Sequence, residues 1–538
     1  MWARNLTFLC VVAAGLAGLA GYLFGDRRPV APRDFRPQQY AQDDFRDTVA
    51  QLDAAFHADW DASDLVPASS ADDLTLCRRL SLGLTGTIPS LEEIREIEAQ
   101  PSQLRVSWWL SRLFEDRRYS DYLAERLARS CVGTENGPFL VYRRRRFVTW
   151  LADALERNIG YDQLARQLIS ETGLWTDHPA VNFVTVTLDE NNDDQPDVAR
   201  LARRVSRTFL GVRLDCVQCH DDQFDGDWLQ TDFHGLAAFF SGAQQTFQGI
   251  QDSERPYEFK YLDSEEEVVV PPKVPFGQEL FEGGGPRRAQ LARWVTHPEN
   301  RPFARTAVNR LWALLFGQPL LEDVDNVPLA GPYPPGLEIL VDDFVAHRFD
   351  LQRLIRVIAA SEVFRRDSRA DHEITPVHED HWAAFPLVRL RPEQIAGSLL
   401  QATSLKTIDA QSHIVVRFAR SAQQDEFVRR YGDTGEDEFG EHGGTIPQRL
   451  LLMNGNLVKE RTEENLLTNA STRIAALAPD DATAVETAFL SVLTRRPTAE
   501  ELRYFTVRLE DTTGESRNRT MEDVYWSLLN STEFSWNH

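Results

Sequence analysis

The sequence predicts a mainly α-helical fold, with two helical domains joined by a short β-hairpin and loop linker behind an apolar amino-terminal helix. Three observations carry this expectation. Apolar residues recur at spacings of three and four, capping residues and glycines punctuate these stretches, and residues 244–285 abandon the helical period. A chain of 538 residues has room for two to three domains, each with its own core. Its 42% hydrophobic and 26% charged residues belong to a soluble globular body. The 58 Lys and Arg against 82 Asp and Glu leave a net charge of −24, which argues against nucleic acid as a partner.

Residues 1–28 read as a membrane anchor or signal segment. Arg4 precedes an apolar run over 6–24, closed by Asp26-Arg27-Arg28-Pro29. At about 1.5 Å per residue the run nearly crosses a hydrocarbon core of about 30 Å. Gly18-Leu19-Ala20 offers small residues for cleavage but lies inside the run, which favours an uncleaved anchor. Either reading puts the body on the periplasmic side, outside the cytoplasm. Residues 29–44, rich in Pro, Arg, Asp and Gln, read as a tether.

The first helical domain is expected over 45–243. Ser90-Leu91-Glu92-Glu93 forms a capping box, and Trp109, Leu110, Leu113 and Phe114 make an apolar stripe that reads as core. Arg143-Arg144-Arg145-Arg146 points in several directions on a helix, so it reads as a solvated start, not a binding patch. Leu201, Val205 and Phe209 repeat every four residues until Gly211 ends the helix. Within 244–285, Tyr257-Glu258-Phe259-Lys260-Tyr261 alternates and Val268-Val269-Val270 is β-branched, before Gly283-Gly284-Gly285. The second helical domain, 286–538, opens at Pro286. Its helices are expected over 291–295, 303–316 and 351–358, from near Pro392 and Pro447, and twice more at the carboxyl end.

The most informative word is Cys216-Val217-Gln218-Cys219-His220. With 5 Cys and 12 His in the chain, the chance of this word is roughly one in a thousand. C-x-x-C-H is the spacing that attaches c-type haem: two thiols add to the vinyl groups and the next imidazole binds iron. A thiol/disulfide pair, or half of a metal site, uses the same Cys-x-x-Cys geometry and stays open beside it. With haem, His220 is the proximal iron ligand and His234 is the nearest candidate for the distal side. Trp228, Phe233, Phe239 and Phe240 are then candidate walls, against the plainer reading that they are core.

Other constellations read more weakly. His372, His378 and His381, with Glu379 and Asp380, lack the HExxH spacing and read as solvated loop residues. The acidic run 189–194 lacks the glycine and the terminal Glu of a calcium loop. Cys77 and Cys131 would pair only if their helices pack together, and are otherwise small buried side chains. No nucleophile elbow, phosphate loop or dinucleotide fingerprint is present.

Several words resemble the planctomycete cytochrome-c-associated domain: Leu80-Ser81-Leu82-Gly83-Leu84-Thr85-Gly86-Thr87-Ile88-Pro89, Tyr161-Asp162-Gln163-Leu164, and the stretch from Phe209 through Cys216 and Cys219 to Asp221. From Pro286 the chain resembles the planctomycete-specific domain of unknown function that usually follows it. There the matching words are Asn300-Arg301-Pro302-Phe303-Ala304-Arg305, Val308-Asn309-Arg310-Leu311-Trp312 and Leu452-Met453-Asn454-Gly455. The resemblance spans roughly 45–538, in family order. It implies exported proteins of undetermined activity, often found with cytochrome c modules. The chain departs from the pattern where the family usually has a second His and a Pro-Phe; here stand Asp222, Gln223 and Phe224. A Trp-rich family segment is likewise replaced by Arg129-Ser130-Cys131-Val132-Gly133.

The expectation is an exported, membrane-anchored protein binding one haem c through Cys216, Cys219 and His220. It would act in electron transfer, or in a redox step coupled to a partner or a cell-surface enzyme system. The alternative is a non-redox extracytoplasmic scaffold or carbohydrate-handling accessory protein, with Cys216 and Cys219 as a local disulfide.

Overall fold

The computed structural model describes residues 35–134, 137–138, 141–188, 195–222, 228–261, 266–409, 412, 414–432, 435, 445–466 and 468–538, without the side chains of 414–419 and 421. The apolar run 6–24, residues 29–34 of the tether and the acidic run 189–194 lie outside the described residues. No helix among the described residues is long and apolar enough to cross a membrane.

The fold is mainly helical, as the periodicity predicts. Helices of two turns or more are numbered here. The first nine are α1 (Asp43–Ala62), α2 (Asp73–Thr85), α3 (Leu91–Glu98), α4 (Arg105–Phe114), α5 (Arg117–Val132), α6 (Arg144–Glu156), α7 (Tyr161–Ser170), α8 (Val198–Val205) and α9 (Gln230–Ala237). The predicted capping box closes α3: Ser90 Oγ accepts the Glu93 amide at 3.1 Å, and Glu93 accepts the Ser90 amide at 2.8 Å. The stripe on α4 is buried, so core is its role.

The aperiodic stretch supplies the strands. β1 (Ala243–Thr246) pairs antiparallel with β2 (Gly249–Asp252), and β3 (Glu258–Phe259) with β4 (Val268–Val269). Then follow α10 (Arg287–Val295), α11 (Arg301–Phe316), α12 (Leu337–Ala346) and α13 (Leu351–Ala360). Pro286 sits just ahead of α10, and Gly317, at φ 87°, ends α11. β5 (Val388–Arg389) precedes α14 (Pro392–Ala402), α15 (Ile414–Tyr431), α16 (Ile446–Asn454), α17 (Ala470–Leu477), α18 (Asp481–Leu493), α19 (Ala499–Leu509) and α20 (Gly514–Leu529). The carboxyl end forms β6 (Trp536–Asn537), which pairs antiparallel with β5.

Two apolar cores organise these elements. The larger draws on both sides of the 244–285 segment, from Phe45 in α1 to Phe364 and Phe385. In it Phe56 stacks on Trp312, Trp312 on Phe316, and Tyr161 on Phe303. The smaller core gathers α14 to α20 around Phe489, Tyr525 and Phe534, and takes in Leu82 and Ile88 from the amino-terminal half.

Candidate functional site

The site begins where α8 ends. Leu201 and Val205 face the core, and the helix widens into a π-turn over Ser206–Leu210 before Gly211 stops it at φ 60°. A Cβ at residue 211 would lie 2.5 Å from Thr306 Oγ1 and 2.9 Å from Val327, so this close approach needs glycine. The Val327 amide donates to the Gly211 carbonyl at 2.6 Å. Asp325 then takes Arg207 at 2.7 Å and Arg213 at 2.6 Å, clamping the lead-in from both sides. Burial pushes the Asp325 carboxyl up, but its hydrogen bond to Arg213 and the charge and bond of Arg207 together hold it below its usual range.

Cys216–Gln218 form one 3-10 turn, in which the Cys219 amide donates to the Cys216 carbonyl at 3.3 Å. Val217 points into the core while Cys216 and Cys219 stand exposed with free thiols. The turn thus keeps Val217 on its inner side and leaves both cysteines open to solvent. His220 is exposed, and its Nδ1 lies 2.8 Å from the Asp221 carbonyl. A carbonyl only accepts, so Nδ1 carries a proton, and in the neutral ring Nε2 keeps the lone pair. Nε2 has no partner among the described residues.

The inner side of the turn is tied down. The Gln218 carbonyl accepts from His234 Nε2 at 3.0 Å and from Gln230 Nε2 at 3.2 Å. Asp221 takes the Gln230 amide at 2.7 Å, at the first residue of α9, and the Asp222 amide donates to the Trp228 carbonyl at 3.0 Å. His234 is buried, with its other nitrogen 2.9 Å from the Tyr257 hydroxyl and its ring stacked on Phe259 at 3.5 Å. Burial lowers the His234 pKa and pushes Tyr257 up to about 12, so both groups are neutral near pH 7.

This arrangement corrects the expectation for His234. One nitrogen donates to Gln218 and the other accepts from Tyr257, so neither has a lone pair to give to iron as a distal ligand. Phe233, Phe239 and Phe240 are fully buried members of the larger core, not walls of an outward slot, and Trp228 packs half-buried on Phe276. Phe224 and Asp225 lie outside the described residues. Two cavities have described linings, a groove of about 370 Å³ beside Tyr40, Phe45 and Arg356 and a void of about 20 Å³ beside Tyr161 and Arg310. Neither touches the Cys-x-x-Cys-His turn.

The remaining constellations take structural places. His378 is buried and its Nδ1 meets Thr375 Oγ1 at 2.9 Å, while His381 Nδ1 pairs with Asp59 at 2.7 Å. The cluster thus serves a turn and a helix contact. Among the described residues, no three or more His, Cys, Asp and Glu side chains are placed to share a metal ion. Cys77 and Cys131 are buried as free thiols and burial raises both, Cys131 to about 11. The conditional pairing of these two is not formed. Sequence reasoning missed Gln218, Gln230, Tyr257 and Phe259 as partners of the turn. The signal was present: the alternation of residues 257–261 sets three aromatic rings on one face, and all three lie against His234.

Comparison with known proteins supplies the family. Residues 51–245 match the family model PSCyt2, described as a protein of unknown function (DUF1549). Residues 287–508 match PSD1, likewise a protein of unknown function (DUF1553). No curated protein and no solved structure matches the chain. The two models leave the strand-bearing segment between them and together cover about three quarters of the sequence, so the chain belongs to the proteins that carry the PSCyt2 and PSD1 domains in tandem.

Proposed function

We propose that Cys216, Cys219 and His220 attach one haem c in an exported protein that exchanges electrons with a partner at the cell surface. The observation that carries this reading is the His220 tautomer. With its Nδ1 proton donated to the Asp221 carbonyl, the neutral ring keeps on Nε2 the lone pair that an axial iron ligand needs, and the backbone contact selects that tautomer. A local disulfide makes no use of such an orientation. The thiols fit as well, since a single turn with Val217 anchored inward presents both sulfurs outward. Haem bound there would supply a one-electron couple.

The chain's own residues would then hold and brace. Cys216 and Cys219 fix the position, His220 supplies the proximal nitrogen, and Asp325 steadies the lead-in through Arg207 and Arg213. The rings of Phe233, Phe239 and Phe240 are committed to the core and give little apolar cover. An open haem edge suits exchange with a docked partner better than chemistry in a sealed pocket. The apolar run 6–24 would tether this body to the membrane on the periplasmic side.

The scarcity of apolar cover also favours a second reading, a non-redox scaffold or carbohydrate-handling accessory protein in which Cys216 and Cys219 close a local disulfide. Expression of the full chain in a host that exports and attaches haem separates the two. Haem that stays with the denatured polypeptide, and a haem-mass adduct on the peptide containing Cys216–His220, are the expected results. Free or mutually bonded thiols with no Soret band would overturn the proposal. The same intact mass reports whether residues 1–28 are removed.

A further inference from the structure

We infer that His234 is a positioning residue, a buried latch that sets the direction in which the Cys216–His220 turn presents its three functional side chains. The inference rests on the attachment reading for its purpose, but its geometry stands apart from haem. Gln218 lies between the two thiols, and among the described residues its carbonyl takes two side-chain donors, His234 Nε2 at 3.0 Å and Gln230 Nε2 at 3.2 Å. Fixing that oxygen fixes the peptide plane between Gln218 and Cys219, and with it the angle between both sulfurs and His220.

The latch is itself held from three sides. Since the Gln218 carbonyl needs the proton on Nε2, Nδ1 must accept, and the Tyr257 hydroxyl donates to it at 2.9 Å. Phe259 stacks on the ring at 3.5 Å, and Phe233 and Tyr261 meet it edge-on at 5.2 Å and 5.7 Å. An imidazole fully buried, with one tautomer and one ring plane, is a poor surface ornament and a good lever. It couples the turn to β3, in the segment that separates the two family regions.

The test uses hydrogen exchange of the full chain made without haem, and covalent haem yield of the same variants made with it. His234→Leu keeps the bulk and removes the donor, and exchange over 216–222 should rise about three- to tenfold while α4 is unchanged. His234→Gln restores an N–H near the Nε2 position and should return most of the protection. Tyr257→Phe keeps the ring and releases the tautomer, so a smaller rise is expected in the same peptides. With haem, yield should fall several-fold in the Leu variant and recover in the Gln variant. Unchanged exchange over 216–222 in a folded His234→Leu protein would overturn the latch. So would a rise spread over the whole chain that His234→Gln fails to rescue. Local loosening with no haem on any variant, wild type included, would keep the latch and sink the attachment reading.

Discussion

At the scale of single residues, the two readings of Cys216-Val217-Gln218-Cys219-His220 part company on three substitutions. If the thiols carry haem, Cys216→Ser leaves one thioether and lowers the matured fraction, and Cys219→Ser does the same. His220→Ala then permits attachment but shifts the Soret band, because the nitrogen that Asp221 orients is gone. If the thiols form a disulfide, either Cys substitution costs about 2 kcal/mol or less, since the loop closed is so short. His220→Ala is then nearly silent in a thermal melt, for the ring is exposed. Equal and mild effects from all three, with no spectral change, would eliminate haem and leave the family assignment standing. His234 shows how far a residue type carries. Its identity made it a ligand candidate, and only the partners on both nitrogens reveal a hydrogen-bonding post.

At the scale of elements, the local signals in the sequence were the reliable ones. The capping box at Ser90 and Glu93, the glycines at 211 and 317, and the stripe on α4 act as their chemistry predicts, because each depends on neighbours a few residues away. The site was legible in its outer half, the C-x-x-C-H word itself. Its inner half was hidden, because Gln218, Gln230, His234 and Tyr257 come together only through the return of the chain from α9 to β3. The π-turn over Ser206–Leu210 was also hidden, since an apolar repeat of four does not distinguish it from a helix. Gly211 joins the two kinds of information. Gly211→Ala asks a side chain to adopt φ 60° and to overlap Thr306 and Val327, so a loss of about 2–4 kcal/mol in chemical denaturation is expected. A conservative Gly317→Ala control separates backbone strain from position: φ there is 87°, but its Cβ would meet the Val388 side chain at 2.8 Å and not the lead-in to the turn. Faster exchange over 216–222 should follow the first substitution alone. Equal effects of both on that turn would refute a bracing role for Gly211.

At the scale of the whole molecule, the edge between the two family matches lies within the 244–285 segment, yet the packing crosses it. Gly83 in α2 brings that helix so close to α11 that a Cβ there would lie 3.1 Å from the Leu314 carbonyl. Arg310 in α11 donates to the Thr208 carbonyl at 2.8 Å, and Trp312 completes the stack begun by Phe56. The lead-in to the Cys-x-x-Cys-His turn depends on Asp325 and Val327, which come from the second family region. A fragment ending at residue 285 would therefore lose α10 to α13 from the larger core and expose Phe56 and Tyr161, both buried against α11 in the full chain. Burying such side chains contributes about 1.5–3 kcal/mol each, against a net domain stability of about 5–15 kcal/mol. The fragment 35–285 should fail to fold as a monomer, giving no cooperative melt by circular dichroism and aggregating on size exclusion. The fragment 35–365, which restores α10 to α13, should recover a cooperative transition. A sharp melt from 35–285 alone, with protected amides in α2 and α4, would show that the first family region is a self-sufficient unit.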